Sequence, residues 1–257
     1  MKLSHAVLAS ALFISACSDA PQTPLTVDTL QQAAPPPSMV EKPDFGSYQM
    51  VDEKKKAFVD FMKPGINYIN GLIENARTRL VELEKGKTPT TEDKAFIARV
   101  AELFNLTLPE AGADQKWYQE ALKRVDVIPT DLVLTQAAKE SGWGTSRFAR
   151  EGNNYFGQWC YTSGCGMVPS ARSQGKTHEV AVFKDTYQSI RAYFLNVNRN
   201  KAYAPLRDIR AELRKSGEPV TGVALANGLK SYSERGQAYV DEVQSMIRYN
   251  QNYWSQG

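Results

Sequence analysis

The chain predicts a mostly helical α+β protein with one small β lobe and a helical extension before its main domain. Three observations carry that expectation. Apolar residues recur at helical spacing through most of the chain after the first 44 residues, as in Ile66, Ile69, Leu72, Ile73, Ala76, Leu80 and Leu83. One middle stretch, residues 153–183, has a different grammar, rich in Gly, Ser and Cys with short alternation in HEVAVF. The opening residues up to Asp44 show neither period. With 257 residues, 42% of them hydrophobic, there is material for one sizeable core. A formal charge of +3 is too weak to argue for nucleic acid as a partner, and it is compatible with an anionic polymer.

The first residues, MKLSHAVLASALFISAC, carry one lysine and then an apolar run too short to cross a bilayer, which reads as an export signal over residues 1–16. Small residues before Cys17 resemble the bacterial lipobox, which implies cleavage there and lipidation of the Cys17 thiol. Ser18 in place of an aspartate favours the outer membrane by resemblance to lipoprotein sorting rules. The expectation is a periplasmic lipoprotein that meets the membrane through its lipid alone. Residues 17–44, rich in Pro, Gln, Thr and Ala, read as a flexible tether.

Residues 45–128 read as the helical extension. VDEKKKAFVDFM and INYINGLIENARTRLVELEKG predict two helices broken near Pro64-Gly65. A third starts around Thr90, whose hydroxyl and the following acidic residues suit a helix N-terminus, and a fourth lies in QKWYQEALKRV. Residues 129–257 form the main domain. Its first helix runs from Pro129-Thr130-Asp131 through LVLTQAAKE and stops at Ser141-Gly142, which puts Glu140 in the last turn. After the β lobe, helical period returns in TYQSIRAYFLNVN, in APLRDIRAELRKSG, in TGVALANGLKSY and in QAYVDEVQSMIRYN.

With Cys17 lipidated, Cys160 and Cys165 remain as an even pair in WCYTSGCG, and an oxidising compartment favours a disulfide between them. The competing reading, half of a zinc site, lacks a second cysteine pair, and His5 and His178 are the only histidines in the sequence. No metal and no cofactor are expected.

Glu140 is the residue with chemistry in it. A carboxylate at a helix C-terminus faces partial negative charge, and partial burial also disfavours ionisation, so its pKa should rise. A carboxyl kept protonated near neutrality can donate to a leaving-group oxygen. A solvated last-turn glutamate is the competing reading. Around it gather Trp143, Tyr155, Phe156 and Trp159 with the amides of Asn153, Asn154 and Gln158, a combination that suits sugars through ring stacking and hydroxyl recognition. Trp143 and Phe156 serve equally well as core residues.

The stretch AAKESGWGTSRFAREGNNYFGQW resembles the glucosaminidase domain of peptidoglycan hydrolases, glycoside hydrolase family 73, and the resemblance runs on through VFKDTYQSIRAYFLNVNRNKAY to LKSYSERGQAYVDEV. The segment PDFGSYQMVDEKKKAFVDFMKPGINYIN is similar to the helical extension of Bax-type members. The resemblance implies a lysozyme-like fold and hydrolysis of the β-1,4 bond after N-acetylglucosamine in peptidoglycan strands. It puts Glu140 in the proton donor's place, Asn154, Tyr155, Phe156 and Gly157 in a substrate-binding NNLFG-like segment, and Tyr232 near the catalytic centre. The acidic residues that other members carry on a longer hairpin are missing here. Glu179 is the leading candidate for a second catalytic carboxylate, with Glu151 and Asp185 behind it. A lytic transglycosylase of the same fold and a non-catalytic peptidoglycan-binding lipoprotein are the alternatives. The separation of the two carboxylates, which sets the stereochemical outcome, stays open.

Overall fold

A computed structural model describes residues 39, 41–169 and 178–255. The expected signal peptide, the lipidation at Cys17 and most of the tether lie outside the described residues. The spine is helix α1 (Val51–Glu84), a single rod of 34 residues, about 50 Å long at the α-helical rise. The break predicted at Pro64-Gly65 does not occur. Proline gives up one intrahelical hydrogen bond, yet Phe58 and Met62 before it and Ile66 and Ile69 after it bury one continuous face. Gly65 permits close packing there: a Cβ on it would lie 2.2 Å from Met39 Sδ and 3.2 Å from Ile190 Cδ1.

Helix α2 (Thr91–Leu103) begins in a capping box, with Thr90 and Asp93 each accepting from the other's backbone N–H. Helix α3 (Gln115–Arg124) is capped by Asp114, whose carboxylate accepts from Trp117 N. The chain then turns through Asp126, 1% exposed, into the central helix α4 (Thr130–Ser141). Asp126 holds Arg214 at 2.8 Å, Arg77 at 3.3 Å and Arg210 at 3.7 Å. Arg77 stands on α1, and the other two stand on a later helix, so one buried carboxylate fastens the extension to the main domain. Asn70 of α1 adds a two-way clasp, donating to Ile128 O and accepting from Ile128 N. One apolar core runs through residues 45–128 and 129–257 alike.

A short helix α5 (Arg147–Gly152), absent from the sequence reading, leads into the β lobe. Strands β1 (Trp159–Cys160), β2 (Gly166–Met167) and β3 (Glu179–Ala181) form an antiparallel sheet in the order β1-β3-β2. Gly166 pairs with Ala181, and a Cβ on Gly166 would lie 2.1 Å from Val180 O, so the register needs a glycine there. Cys160 and Cys165 are joined as a disulfide. Helices α6 (Thr186–Arg199), α7 (Ala204–Ser216), α8 (Gly222–Ala226), α9 (Gln237–Tyr249) and α10 (Gln251–Trp254) complete the fold, with a 3-10 turn over Lys201–Tyr203. The architecture is mostly helical and lysozyme-like, with a small sheet on one side.

Candidate active site

Helix α4 is buried from Leu132 to Ala138, and Lys139 and Glu140 emerge at its C-terminal end. The SGWG motif shapes that end. Gly142 adopts the left-handed conformation at φ 57° and caps the helix. Ser141 Oγ donates to Ala137 O at 2.6 Å and accepts from Gly144 N at 2.8 Å. Gly144, at φ 80°, lies against Phe45, whose Cδ2 would be 2.3 Å from any Cβ added there.

Glu140 Oε1 accepts a hydrogen bond from the Tyr239 hydroxyl at 2.9 Å. The Tyr239 oxygen in turn accepts from Gln136 Nε2 at 3.0 Å, and the Tyr193 hydroxyl donates to Gln136 Oε1. The Tyr193 donor sets the orientation of the Gln136 amide. That amide, occupying the lone pair of Tyr239, directs the Tyr239 hydrogen at Glu140. Oε2 is the free edge of the carboxyl, beside Gly157, where a Cβ would stand 3.8 Å from it. Burial pushes the Glu140 pKa up, opposed by the Tyr239 hydrogen bond and the positive charge of Lys139. Lys139 is itself held by Glu242, whose other oxygen takes Arg235, and these two cations bring the Glu242 pKa down to about 2.

Glu140 opens into a groove of about 1170 Å³. Phe156, Gln158, Trp159 and Tyr232 line it, Phe156 with only 2% of its surface exposed. Trp159 is 55% exposed and stacks on His178 at 4.0 Å between ring centroids. Gln158 is braced by its Nε2 donating to Ser189 O. Tyr232 stacks on Tyr239 at 5.4 Å and donates to Phe156 O at 2.9 Å.

Other candidates lie elsewhere, and the reasons are packing and hydrogen bonding. Trp143 is turned away from the groove, stacked on Trp254 at 5.7 Å and edge-on to Phe58. Tyr155 is fully buried against the extension, with Phe58 6.1 Å away. Asn154, 1% exposed, is an organiser beneath the site: its Nδ2 donates to Gln158 O and Ala181 O, and its Oδ1 accepts from Phe156 N and Gln158 N. Asn153 likewise ties the chain to Phe183 O.

The expected second carboxylates are engaged in structure. Glu179 is 7% exposed and takes Gly164 N on Oε1 and Gly166 N on Oε2, clamping the disulfide loop. Glu151 pairs with Arg147 at 3.5 Å, and Asp185 caps α6 through Gln188 N. The carboxylates that share the groove with Glu140 are Glu102 and Glu234, neither singled out by sequence. Tyr239 and Gln136 were also missed as site residues. Tyr239 lay in the same tyrosine-bearing segment as Tyr232, which was preferred, and Gln136 looked like any polar residue of an amphipathic helix.

Among the described residues, Cys160, Cys165 and Glu179 bring potential metal-ligating atoms within 4.8 Å of one another. The thiols of that cluster are consumed by the disulfide, and the glutamate by two amides.

A lysozyme-like helical fold with a half-buried glutamate at a helix end, opening on a long aromatic-rimmed groove, defines the class of glycoside hydrolases to which the site corresponds. Residues 115–252 match the glucosaminidase family, described as mannosyl-glycoprotein endo-beta-N-acetylglucosaminidase, and the chain belongs to that family, glycoside hydrolase family 73. It is 34% identical over 209 residues to the protein bax of Escherichia coli strain K12, a span covering 81% of this chain and 74% of that one. No solved structure matches it.

Proposed function

We propose that the protein is a peptidoglycan hydrolase, an endo-β-N-acetylglucosaminidase that cleaves the β-1,4 bond after N-acetylglucosamine with Glu140 as general acid. The observation that carries this reading is the Glu140 carboxyl, partly buried and pinned on Oε1 by Tyr239, with Oε2 turned toward the open side at Gly157. A proton on Oε2 is placed for a glycosidic oxygen, and burial keeps it there at a higher pH than an exposed glutamate would hold it. After proton transfer the carboxylate is stabilised by the Tyr239 hydrogen bond and by Lys139. The opposite face of the sugar is served by water activated at Glu234 or by the substrate's own acetamido oxygen.

A groove of about 1170 Å³ is larger than the ~300–1,000 Å³ usual for small ligands and suits several sugar rings. The exposed rings of Trp159 and Tyr161 on its rim offer stacking surfaces for them. The protein works at the periplasmic face of the outer membrane, held by lipid on Cys17. Among the described residues no helix is long and apolar enough to cross a membrane.

The test is digestion of purified sacculi followed by mass spectrometry of the products. New reducing ends of N-acetylglucosamine are expected, together with loss of cleavage in Glu140→Gln. Anhydro-N-acetylmuramic ends would establish a lytic transglycosylase instead. Binding to sacculi with no cleavage would establish a binding protein.

A further inference from the structure

A second cavity lies behind the helix that carries Glu140. Its volume is about 460 Å³, inside the range of roughly 300–1,000 Å³ usual for small-molecule sites. Four helices meet there: Asp131 comes from the start of α4, Val223 from α8, Ile247 and Arg248 from the end of α9, and Trp254 from α10. Asp131 and Glu140 are about two and a half turns apart on α4, which puts them about 14 Å apart along the axis and on opposite faces. The cavity shares no lining residue with the groove.

Ile247 and Trp254, 4% and 6% exposed, give it an apolar floor together with Val223. The two charges on its walls are of opposite sign and are not joined. Asp131 Oδ1 accepts from Leu132 N at 2.7 Å, and Gly222 packs so closely over the carboxylate that a Cβ there would lie 2.3 Å from Oδ1. Burial pushes the Asp131 pKa up and backbone N–H groups alone oppose it, so no cation offsets the desolvation. Arg248 is exposed in the last turn of α9 and, among the described residues, makes no ion pair.

A half-buried carboxylate without a cation is costly, and a ligand that brings one removes that cost. A ligand that is only a cation leaves Arg248 facing the same space unmatched. The full complement of this cavity has an ammonium for Asp131, an apolar body for the floor and a carboxylate for Arg248. We infer that the cavity between α4, α8, α9 and α10 is a binding site for a small zwitterion, a free peptide of about two residues with apolar side chains. Peptides of L-residues and the D-residue peptides released from a cell wall share this chemistry, and the test separates them. The inference does not depend on the glucosaminidase reaction.

The full chain is titrated by calorimetry with L-alanyl-L-leucine and with D-alanyl-D-alanine, each also in its N-acetylated and its C-amidated form. Saturable binding of at least one free dipeptide is expected, with Kd raised roughly three- to tenfold when either end is blocked, the range of one partly buried ion pair. The dipeptide that binds more tightly identifies the source. Asp131→Asn, which keeps an acceptor for Leu132 N, is expected to bind the free and N-acetylated forms alike. Arg248→Gln, a surface change, is expected to bind the free and amidated forms alike. No saturable binding of either dipeptide at roughly 10 mM overturns the inference, because a few weak contacts already register at that concentration. An end-group preference that persists in the matching variant overturns it as well. Should Asp131→Asn fail to fold, the Arg248→Gln comparison decides alone.

Discussion

Tyr239 donates its hydroxyl hydrogen to Glu140 Oε1 across 2.9 Å, joining the end of helix α4 to the start of α9 over 99 residues of sequence. That bond does two things at once. It leaves Oε2 as the edge beside Gly157, and, in the proposed reaction, it would stabilise the carboxylate once its proton has gone. It also opposes the rise in pKa that burial produces.

Replacing Tyr239 by Phe removes a hydrogen bond that favours the ionised form, so the Glu140 pKa climbs further. A general acid loses activity as pH passes above its pKa, so the alkaline limb of kcat/KM moves to higher pH in Tyr239→Phe. The rate at the optimum falls by about ten- to a hundredfold as Glu140 loses its orientation. A pH–rate profile of the two proteins checks both effects, and an alkaline limb that stays in place would reject the role of Tyr239.

Glu140→Gln is expected to abolish cleavage while making the protein more stable above neutrality. The folded-state pKa of Glu140 is raised, so its contribution to stability is full below the unfolded glutamate pKa and is lost as pH rises through the folded value. Glutamine can still accept from Tyr239 through Oε1 and carries no charge to desolvate. Denaturant titration should show a gain in stability at pH 8, where the buried carboxylate would be ionised, with no gain at pH 4.

The two tryptophans of the motif region should separate cleanly. Trp143→Ala removes the ring stacked on Trp254 and set against Phe58, and is expected to destabilise by about 3 kcal/mol. Trp159→Ala sits on the groove rim and is expected to change stability by less than about 0.5 kcal/mol while raising KM severalfold. Thermal melts and kinetics on the same preparations distinguish them.

Glu179→Gln weakens one clamp on the disulfide loop and should lower the melting temperature more than it lowers kcat. Glu234→Gln should do the reverse if water is activated there. Equal cleavage by Glu234→Gln and the wild-type protein assigns the opposite face to the substrate's acetamido group. Neither Cys160 nor Cys165 should react with an alkylating reagent in native protein.

Asp126→Ala strips the carboxylate from three arginines and leaves Arg210, fully buried, without its counter-charge. Breaking such a buried cluster costs about 3–5 kcal/mol. Because Arg77 of the extension is one of the three, the loss should appear as a single cooperative transition for the whole molecule, measurable by calorimetry.

Much of this molecule is legible in its amino-acid order because the signals are local. Helical spacing located the long helices, Ser141-Gly142 marked the stop that leaves Glu140 in a last turn, and Gly, Ser and Cys marked the β lobe. The two cysteines of that lobe form the expected disulfide. Local signals failed where long-range packing opposed them. Pro64 interrupts a hydrogen-bond ladder but not α1, since the apolar face on both sides is buried against the same core. Trp143 and Tyr155, placed beside Glu140 by sequence proximity, turn instead onto Phe58, contributed by the extension. Which hydroxyl reaches Glu140, and which carboxylates share its groove, depended on where α9 and α2 dock. Sequence thus determined the helix that carries the acid and the turn that ends it. Tertiary structure alone chose Tyr239 over Tyr232, buried Glu179 under the lobe and brought Arg99 to the groove, because contacts between residues far apart in the chain exist only once the core has closed.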